Sequence, residues 1–256
     1  MDLGLTDKAF LIGGASRGLG LAIAEQLVAE GARVLLVARD ADALWPVVDR
    51  LGERAIASPA DLANPAGVDL VAATVERTFG ALDGILVNAG GPPGGTALEL
   101  TEEQWLGAFQ LLIAGPLRLL RALVPKMNEG GSILFITSSS VRQPIPNLDS
   151  SNVLRPGVAA LAKTLARELG PRIRVNSLAP GRFDTDRVRT LDESRANLRN
   201  IPVEQVREEA TQAIPLGRYG DPAEIGRVGA FLLSPAASYL SGISVQADGA
   251  MVTAVP

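Results

Sequence analysis

The fold is decided by residues 8–20, KAFLIGGASRGLG, in which a short apolar run leads directly into closely spaced glycines. Apolar residues at helical spacing follow: Leu21, Ile23, Ala24, Leu27 and Val28. This order predicts a strand, a glycine turn and a helix, which is the geometry that cradles a phosphate. Gly14 can take a positive φ in the tight turn, while Gly18 and Gly20 allow close approach of a ligand and of the helix to the strand. The partial positive charge at the helix N-terminus would face a pyrophosphate, so we predict a nucleotide site here.

Composition narrows the possible chemistry. The chain has 256 residues, of which 47% are hydrophobic, and its mean hydropathy of +0.21 suits a buried α/β sheet. A net charge of −4 gives no electrostatic footprint for nucleic acid. The chain contains no cysteine and no histidine. Disulfides, thiolate catalysis and imidazole acid–base chemistry are therefore excluded, and we predict no metal site.

The sequence shows no signal peptide or membrane span. Asp2 is acidic, and the first apolar run belongs to the first predicted strand rather than to a leader. The longest apolar candidate, Phe109–Val124, is interrupted by Gln110, Arg118 and Arg121. We therefore expect a cytoplasmic protein with neither a membrane nor a nucleic-acid partner.

Strand-like and helix-like segments alternate along the whole chain. Strands are predicted at Ala9–Gly13, Arg33–Ala38, Ala55–Ser58, Gly84–Val87, Ser132–Thr137, Ile173–Asn176 and Ile243–Gln246. Helices are predicted at Gly18–Glu30, Asp42–Leu51, Pro65–Phe79, Thr101–Pro116, Leu117–Met127, Asn152–Leu169 and Pro222–Leu233. The alternation predicts an α/β fold, a doubly wound parallel sheet of seven strands in a single Rossmann domain over residues 1–256.

Two predicted loops follow strand ends, where open α/β sheets bind ligands. Residues 138–150 carry two prolines, and residues 180–200 are rich in arginine. The arginines are Arg182, Arg187, Arg189, Arg195 and Arg199. Acidic residues alternate with them, so we expect residues 180–200 to form a solvated flap rather than an anion-binding lid.

Several motifs occur in a fixed order along the chain. They are GASRGLG at residues 14–20, Asp61-Leu62, Asn88-Ala89-Gly90, RVNSLAPG at residues 174–181 with Thr185 after it, PLGR at residues 215–218 and Ala247-Asp248-Gly249. Together they resemble the short-chain dehydrogenase/reductase family, most nearly its β-ketoacyl-carrier-protein reductase-like members. Gly13 stands where the family usually has threonine.

The resemblance implies a nicotinamide dinucleotide cofactor. The residues it assigns to cofactor binding are Gly14, Ser16, Arg17, Gly18, Leu19, Gly20, Asp61, Leu62, Asn88, Ala89, Gly90, Arg155, Pro180, Gly181 and Thr185. Asp61 would contact adenine, and its alternative role is that of a solvated acid in the loop after the third strand. Asn88 could serve only to join neighbouring strand ends. Thr185 would meet the nicotinamide carboxamide.

The second strand points to NADP(H) rather than NAD(H). Arg39 follows that strand, 19 residues beyond Gly20. NAD enzymes usually carry an acid there for the ribose 2′-hydroxyl, whereas arginine accommodates the 2′-phosphate. Arg17 would add a second positive charge. Asp40 is adjacent, so NAD(H) remains the alternative.

The catalytic residues depart from the family pattern of Asn, Ser, Tyr and Lys. Ser138 stands at the Ser position, Ser151 at the Tyr position, Arg155 at the Lys position and Leu112 at the Asn position. A serine hydroxyl is a much poorer acid than a tyrosine paired with lysine, and arginine cannot release a proton at neutral pH. Hydride transfer here would receive its proton through water and the serines.

Each catalytic candidate also has a purely structural interpretation. Ser138 could be a turn serine at a strand end, Ser151 a helix N-cap, and Arg155 a surface arginine. Three functions remain open at this point. The first is an NADP(H)-dependent oxidoreductase acting on a small-molecule carbonyl or alcohol. The second is a nucleotide-binding protein without redox turnover, and the third is a lyase similar to halohydrin dehalogenases.

The helices predict self-association. The segment Thr101–Met127 is too apolar for one buried stripe, and Asn152–Leu169 is rich in small residues that allow a neighbour to approach. Together with the family resemblance, this favours a homotetramer.

Overall fold

The computed structural model describes residues 2–254 and shows seven strands in one parallel sheet. The bounds of the strands are β1 Ala9–Gly13, β2 Arg33–Ala38, β3 Ala55–Pro59, β4 Leu82–Val87, β5 Met127–Ile136, β6 Ile173–Pro180 and β7 Ser244–Ala247. All seven predicted strands are present. The largest differences are at β5, which begins earlier than predicted, and at β6, which continues to Pro180.

Nine α-helices lie among these described residues. They are α1 Gly18–Ala29, α2 Ala41–Leu51, α3 Pro65–Thr78, α4 Glu102–Phe109, α5 Gly115–Leu123, α6 Asp149–Leu169, α7 Asp186–Arg199, α8 Val203–Gln212 and α9 Pro222–Leu233. Helix α9 has the predicted bounds. Helix α6 begins three residues before the predicted start.

The strand order indicates where a ligand crevice lies. The order is β3-β2-β1-β4-β5-β6-β7, so β2 and β3 are added on one side of β1, and β4 to β7 on the other. In a doubly wound sheet, ligands bind outside the carboxyl ends of the strands at this point. The predicted doubly wound Rossmann fold is confirmed.

Two apolar layers hold the sheet. On one face, α1, α2 and α9 contribute Ile23, Leu44 and Ile225 to a cluster that includes Phe10 of β1. A second cluster covers the other face, where α3, α5 and α6 contribute residues such as Val71, Leu119, Leu123 and Val158. Both faces of the sheet are therefore covered by helices, as a parallel sheet requires.

The long apolar segment after β4 is a bent helix. The sequence predicted two helices meeting at Pro116, but α4 and α5 are joined by a π-helical turn at Gln110–Ala114. By length and composition alone, Glu102–Lys126 is apolar enough to cross a membrane, with a mean hydropathy of 1.4. In this fold, Leu119 and Leu123 of that segment pack into the core, as the central helix of a globular domain does.

The expectation of a loop over residues 180–200 is wrong for most of that segment. Helix α7 begins at Asp186 with Thr185 as its N-cap, and α8 follows shortly after it. The alternating charges make ion pairs instead of remaining solvated individually. Asp192 is 1% exposed and pairs with Arg182, and Arg199 pairs with Glu209 of α8.

Candidate active site

The glycine turn after β1 leaves the start of α1 open. Gly14 and Gly18 have φ values of +61° and +60°, a region that favours glycine. A Cβ on Gly20 would lie 2.4 Å from the carbonyl oxygen of Gly14, so only glycine lets α1 approach the strand this closely. No side chain caps the first turn of α1, and no acidic residue lies in it. These N–H groups are therefore available to an anion such as a pyrophosphate.

The basic residues near this turn are also available. Arg17 and Arg39 are exposed, and neither pairs with a carboxylate in the part of the chain that the structure describes. Asp40 is directed into α2, where its Oδ1 accepts hydrogen bonds from the backbone N–H groups of Asp42 and Ala43. The acid beside Arg39 thus serves as a helix cap, which leaves Arg39 as the cationic group after β2.

The residues predicted to contact adenine lie after β3, and the predicted cofactor motif at residues 88–90 follows β4. Asp61 is exposed and accepts a hydrogen bond from the N–H of Ala63 at 3.0 Å, next to half-buried Leu62. Asn88 donates from Nδ2 to the carbonyl oxygen of Gly13 at 3.2 Å, which joins the ends of β4 and β1. Ala89 and Gly90 continue from it, and a Cβ on Gly90 would meet nothing within 4 Å. The crevice is open at this point.

The end of β6 lies beside the glycine turn. Pro180 is the last residue of β6, and the N–H of Gly181 bonds the carbonyl oxygen of Ala247 at 2.9 Å. Thr185 is buried, and its Oγ1 accepts a hydrogen bond from the N–H of Val188 in α7. A Cβ built on Gly18 would lie 3.7 Å from the methyl group of Thr185. The structure therefore brings both ends of the predicted cofactor site together.

Three serines beyond the carboxyl end of β5, called the serine chain, are linked by one backbone and one side-chain hydrogen bond. Ser138 Oγ accepts a hydrogen bond from the N–H of Ser140 at 3.1 Å, so its own proton is free to be donated. Ser140 Oγ lies 3.3 Å from Ser151 Oγ, and both of these residues are buried. Ser140 was not selected from the sequence, although it lies only two residues after Ser138.

Ser151 is not a helix N-cap. Leu148 occupies the N-cap position of α6, and Ser151 lies inside the first turn. Its two preceding neighbours bond to the loop after β4: Asp149 accepts from the N–H of Ala97, and Ser150 donates to the carbonyl oxygen of Pro93. These bonds also fix the loop after β4 against the start of α6.

Arg155 is buried in the site and is not a surface arginine. It is 7% exposed, and Nη1 donates to the carbonyl oxygen of Ile136, the last residue of β5, at 2.6 Å. Its Nε is buried without a hydrogen-bond partner. Burial, together with the nearby charge of Arg187, lowers the pKa of Arg155 to about 10, so the guanidinium remains charged at neutral pH.

Leu112 belongs to the core and contributes no polar group to the site. It is 2% exposed and lies in the π-helical turn between α4 and α5. The cluster around it includes Val87, Phe135 and Val158. An apolar contact therefore stands where the family resemblance places a polar residue.

Arg187 reaches over the site from α7. Its Nη2 donates to the carbonyl oxygen of Pro92 at 3.2 Å, and a Cβ on Gly91 would lie 2.7 Å from its guanidinium. Partial burial of this guanidinium lowers the pKa of Arg187. The sequence analysis noted this arginine only as part of a solvated flap, because its contact with a loop 95 residues away leaves no local signal.

Neither tyrosine replaces the missing phenol. Tyr239 is fully exposed, whereas Tyr219 donates its hydroxyl proton to Asp192 at 3.0 Å. The guanidinium carbons of Arg182 and Arg207 lie 4.9 and 4.8 Å from the centre of the Tyr219 ring. Burial raises the pKa of Tyr219. This side chain stabilises α7 and α8 and is engaged away from Ser138.

Comparison with known proteins assigns the family. Residues 14–251 match the family model described as "Enoyl-(Acyl carrier protein) reductase". The chain is a short-chain dehydrogenase/reductase. It is 34% identical over 253 residues to an uncharacterized oxidoreductase of Mycobacterium tuberculosis, with 96% of this chain and 93% of the relative covered. It is 30% identical over 252 residues to a 3-oxoacyl-(acyl-carrier-protein) reductase of Vibrio cholerae, covering 97% of this chain and 99% of the relative.

A solved member of the family has nearly the same fold. The L-sorbose reductase of Gluconobacter frateurii, solved in complex with NADPH and L-sorbose, has a TM-score of 0.95 and 32% identity, with both chains covered completely. The resemblance read from the motifs is therefore confirmed. Within this short-chain dehydrogenase/reductase, Ser151 contacts Ser140, which follows β5, and Arg155 bonds to the last residue of that strand.

Proposed function

We propose that this protein is an NADP(H)-dependent oxidoreductase that interconverts a small-molecule carbonyl and its alcohol, with an atypical route for the proton. The observation that carries the proposal is the serine chain beside buried, charged Arg155 at the carboxyl end of β5. The cofactor residues proposed are those predicted from the motifs. NADPH, when bound, supplies the hydride.

The residues present fit this cofactor. The uncapped start of α1 offers N–H groups to the pyrophosphate. Arg39, with Arg17, supplies positive charge for the 2′-phosphate, and capping of α2 by Asp40 removes the competing acid. The similarity to an NADPH-complexed reductase supports this assignment.

The protein's own groups act on the substrate oxygen. Ser138 donates its hydroxyl proton to the carbonyl oxygen and polarises the bond. Arg155 keeps a positive charge beside the site, which stabilises the alkoxide that forms as the hydride arrives. Ser140 and Ser151 hold hydroxyls 3.3 Å apart, through which a proton from water can reach the alkoxide. The proton comes from water, so each serine that passes a proton on regains one.

Titration with NADPH and NADH tests the cofactor assignment, with nicotinamide fluorescence as the readout. We expect NADPH to bind more tightly, and Arg39→Gln to weaken NADPH binding by about 10- to 100-fold while sparing NADH. Arg77→Gln is the matched control, because Arg77 is an exposed arginine on α3. Tighter binding of NADH by the unmodified protein would refute the assignment.

We also propose a cytoplasmic homotetramer. Leu106 and Phe109 of α4 and Val153 of α6 are exposed, at 57%, 44% and 59%. Exposed apolar residues on neighbouring helices are typical of a surface that a second copy covers. Light scattering at micromolar concentration should give the mass of four chains, and Phe109→Glu should reduce it. A monomer in the unmodified protein would contradict the proposal.

A further inference from the structure

Arg187 links the segment after β6 to the loop after β4. It lies in α7, which follows β6, and it contacts Gly91 and Pro92, which follow β4. In the sheet, β5 lies between β4 and β6. The side chain of Arg187 therefore passes over the carboxyl end of β5, where Ser138 follows the strand and Arg155 bonds to Ile136.

Arg155 presents an unused donor at the same place. Its Nε is buried and has no hydrogen-bond partner, although a buried guanidinium N–H without an acceptor is costly. Arg187 is close enough for its charge to lower the pKa of Arg155. Two positive charges thus lie near one another at the carboxyl end of β5.

No carboxylate in the described part of the chain neutralises this pair. Within residues 2–254, neither Arg155 nor Arg187 lies in an ion pair, whereas the other arginines near the start of α7 do. Asp186, the neighbour of Arg187, pairs with Arg189. Asp149, at the start of α6, accepts from the N–H of Ala97. Like charges held together at a ligand site favour an anion that the protein itself does not supply.

We propose that the substrate is a carbonyl or hydroxy acid whose carboxylate lies between Arg155 and Arg187. This rests on the proposed function, since Ser138 then takes the carbonyl oxygen of the same molecule. The carboxylate accepts from Arg155 Nε and from the guanidinium of Arg187, which gives both arginines a counter-ion. In the loop opposite, a Cβ on Gly90 would meet nothing within 4 Å, so the space beside Gly90 is open to the substrate chain.

Binding to the NADP⁺-loaded protein tests this by calorimetry. The probes are pyruvate, acetoacetate and levulinate, each compared with its methyl ester. We expect at least one acid to bind about 10- to 100-fold more tightly than its ester. Arg187→Gln should abolish that preference without changing ester or NADP⁺ affinity, and Arg187→Lys should restore part of it. Arg77→Gln, which removes an exposed positive charge from α3, should behave like the unmodified protein.

Two results would overturn the proposal. The first is ester binding as tight as acid binding in the unmodified protein. The second is an acid preference that survives in Arg187→Gln; if that variant also weakens NADP⁺ binding about 10-fold or more, Arg187 belongs to the cofactor pyrophosphate. If the unmodified protein binds no NADP⁺, the proposed function fails instead, and the same titrations on the free protein still decide the carboxylate site.

Discussion

Restoring a phenol at position 151 should accelerate reduction. The double variant Ser151→Tyr with Arg155→Lys supplies the acid that the serine chain lacks. General acid catalysis contributes about 10²–10⁴-fold, which corresponds to about 3–6 kcal/mol of barrier at 1.4 kcal/mol per tenfold. Two features of the site reduce this gain. Arg155→Lys loses the bond to the carbonyl oxygen of Ile136, and the new ring must pass Ser140, whose Oγ lies 3.3 Å from that of Ser151.

We therefore expect the lower end of the range, a gain of about 10²-fold in kcat. The crowded ring should also cost about 1–3 kcal/mol of stability, or a Tm lower by about 2–4 °C for each kcal/mol. Oxidation of NADPH, followed by absorbance with the oxo acids named above, gives the rate. The rate of the double variant should acquire a pH dependence that the unmodified protein lacks.

Ser151→Phe with Arg155→Lys is the matched control, because phenylalanine fills the same space without a hydroxyl. This variant should show no gain. Equal rates for the Tyr and Phe variants, with NADPH binding intact in both, would show that proton supply does not limit the reaction. No gain in a folded Tyr variant would have the same meaning.

Three other predictions concern neighbouring groups. Ser138→Ala should lower kcat about 10- to 100-fold with NADPH affinity unchanged, and an unaltered rate would mean that another group polarises the carbonyl. Asp192→Ala removes the buried partner of Arg182 and should cost about 3 kcal/mol of unfolding free energy, which lowers the Tm by roughly 6–12 °C in a thermal melt. The exposed control Asp186→Ala should change the Tm little. The affinity for the oxo acids should be constant from pH 6 to pH 9 and fall above about pH 10. The reason is that Arg155, whose pKa is lowered to about 10, is charged below that pH and loses its charge above it. A fall in affinity between pH 6 and 8 would contradict the assignment.

The sequence predicts those parts of the fold whose signal is local. The run Ala9–Gly13 ends at a glycine turn, so β1 and the start of α1 fall at the predicted residues. Helices α7 and α8 were missed because they are rich in charged residues and contain few apolar ones. They are stabilised by contacts between distant segments, such as Tyr219 with Asp192.

In the candidate site, too, the sequence predicts local features and misses contacts between distant segments. Family spacing located Ser138, Ser151 and Arg155, and the structure brings all three to the end of β5. Spacing does not show that Arg155 Nε lacks a partner or that Arg187 lies over Gly91. Those facts depend on three strand ends meeting at one edge of the sheet.

Transfer of deuterium from NADPH labelled at C4 of the nicotinamide tests the central claim most directly. The unmodified protein is incubated with labelled NADPH and each oxo acid, and the products are analysed by mass spectrometry. We predict a hydroxy acid with deuterium on the carbinol carbon, formed despite the serine at position 151 and the arginine at position 155. Tight NADPH binding with no deuterium in any product, acid or ester, would contradict the account and identify a nucleotide-binding protein without redox turnover.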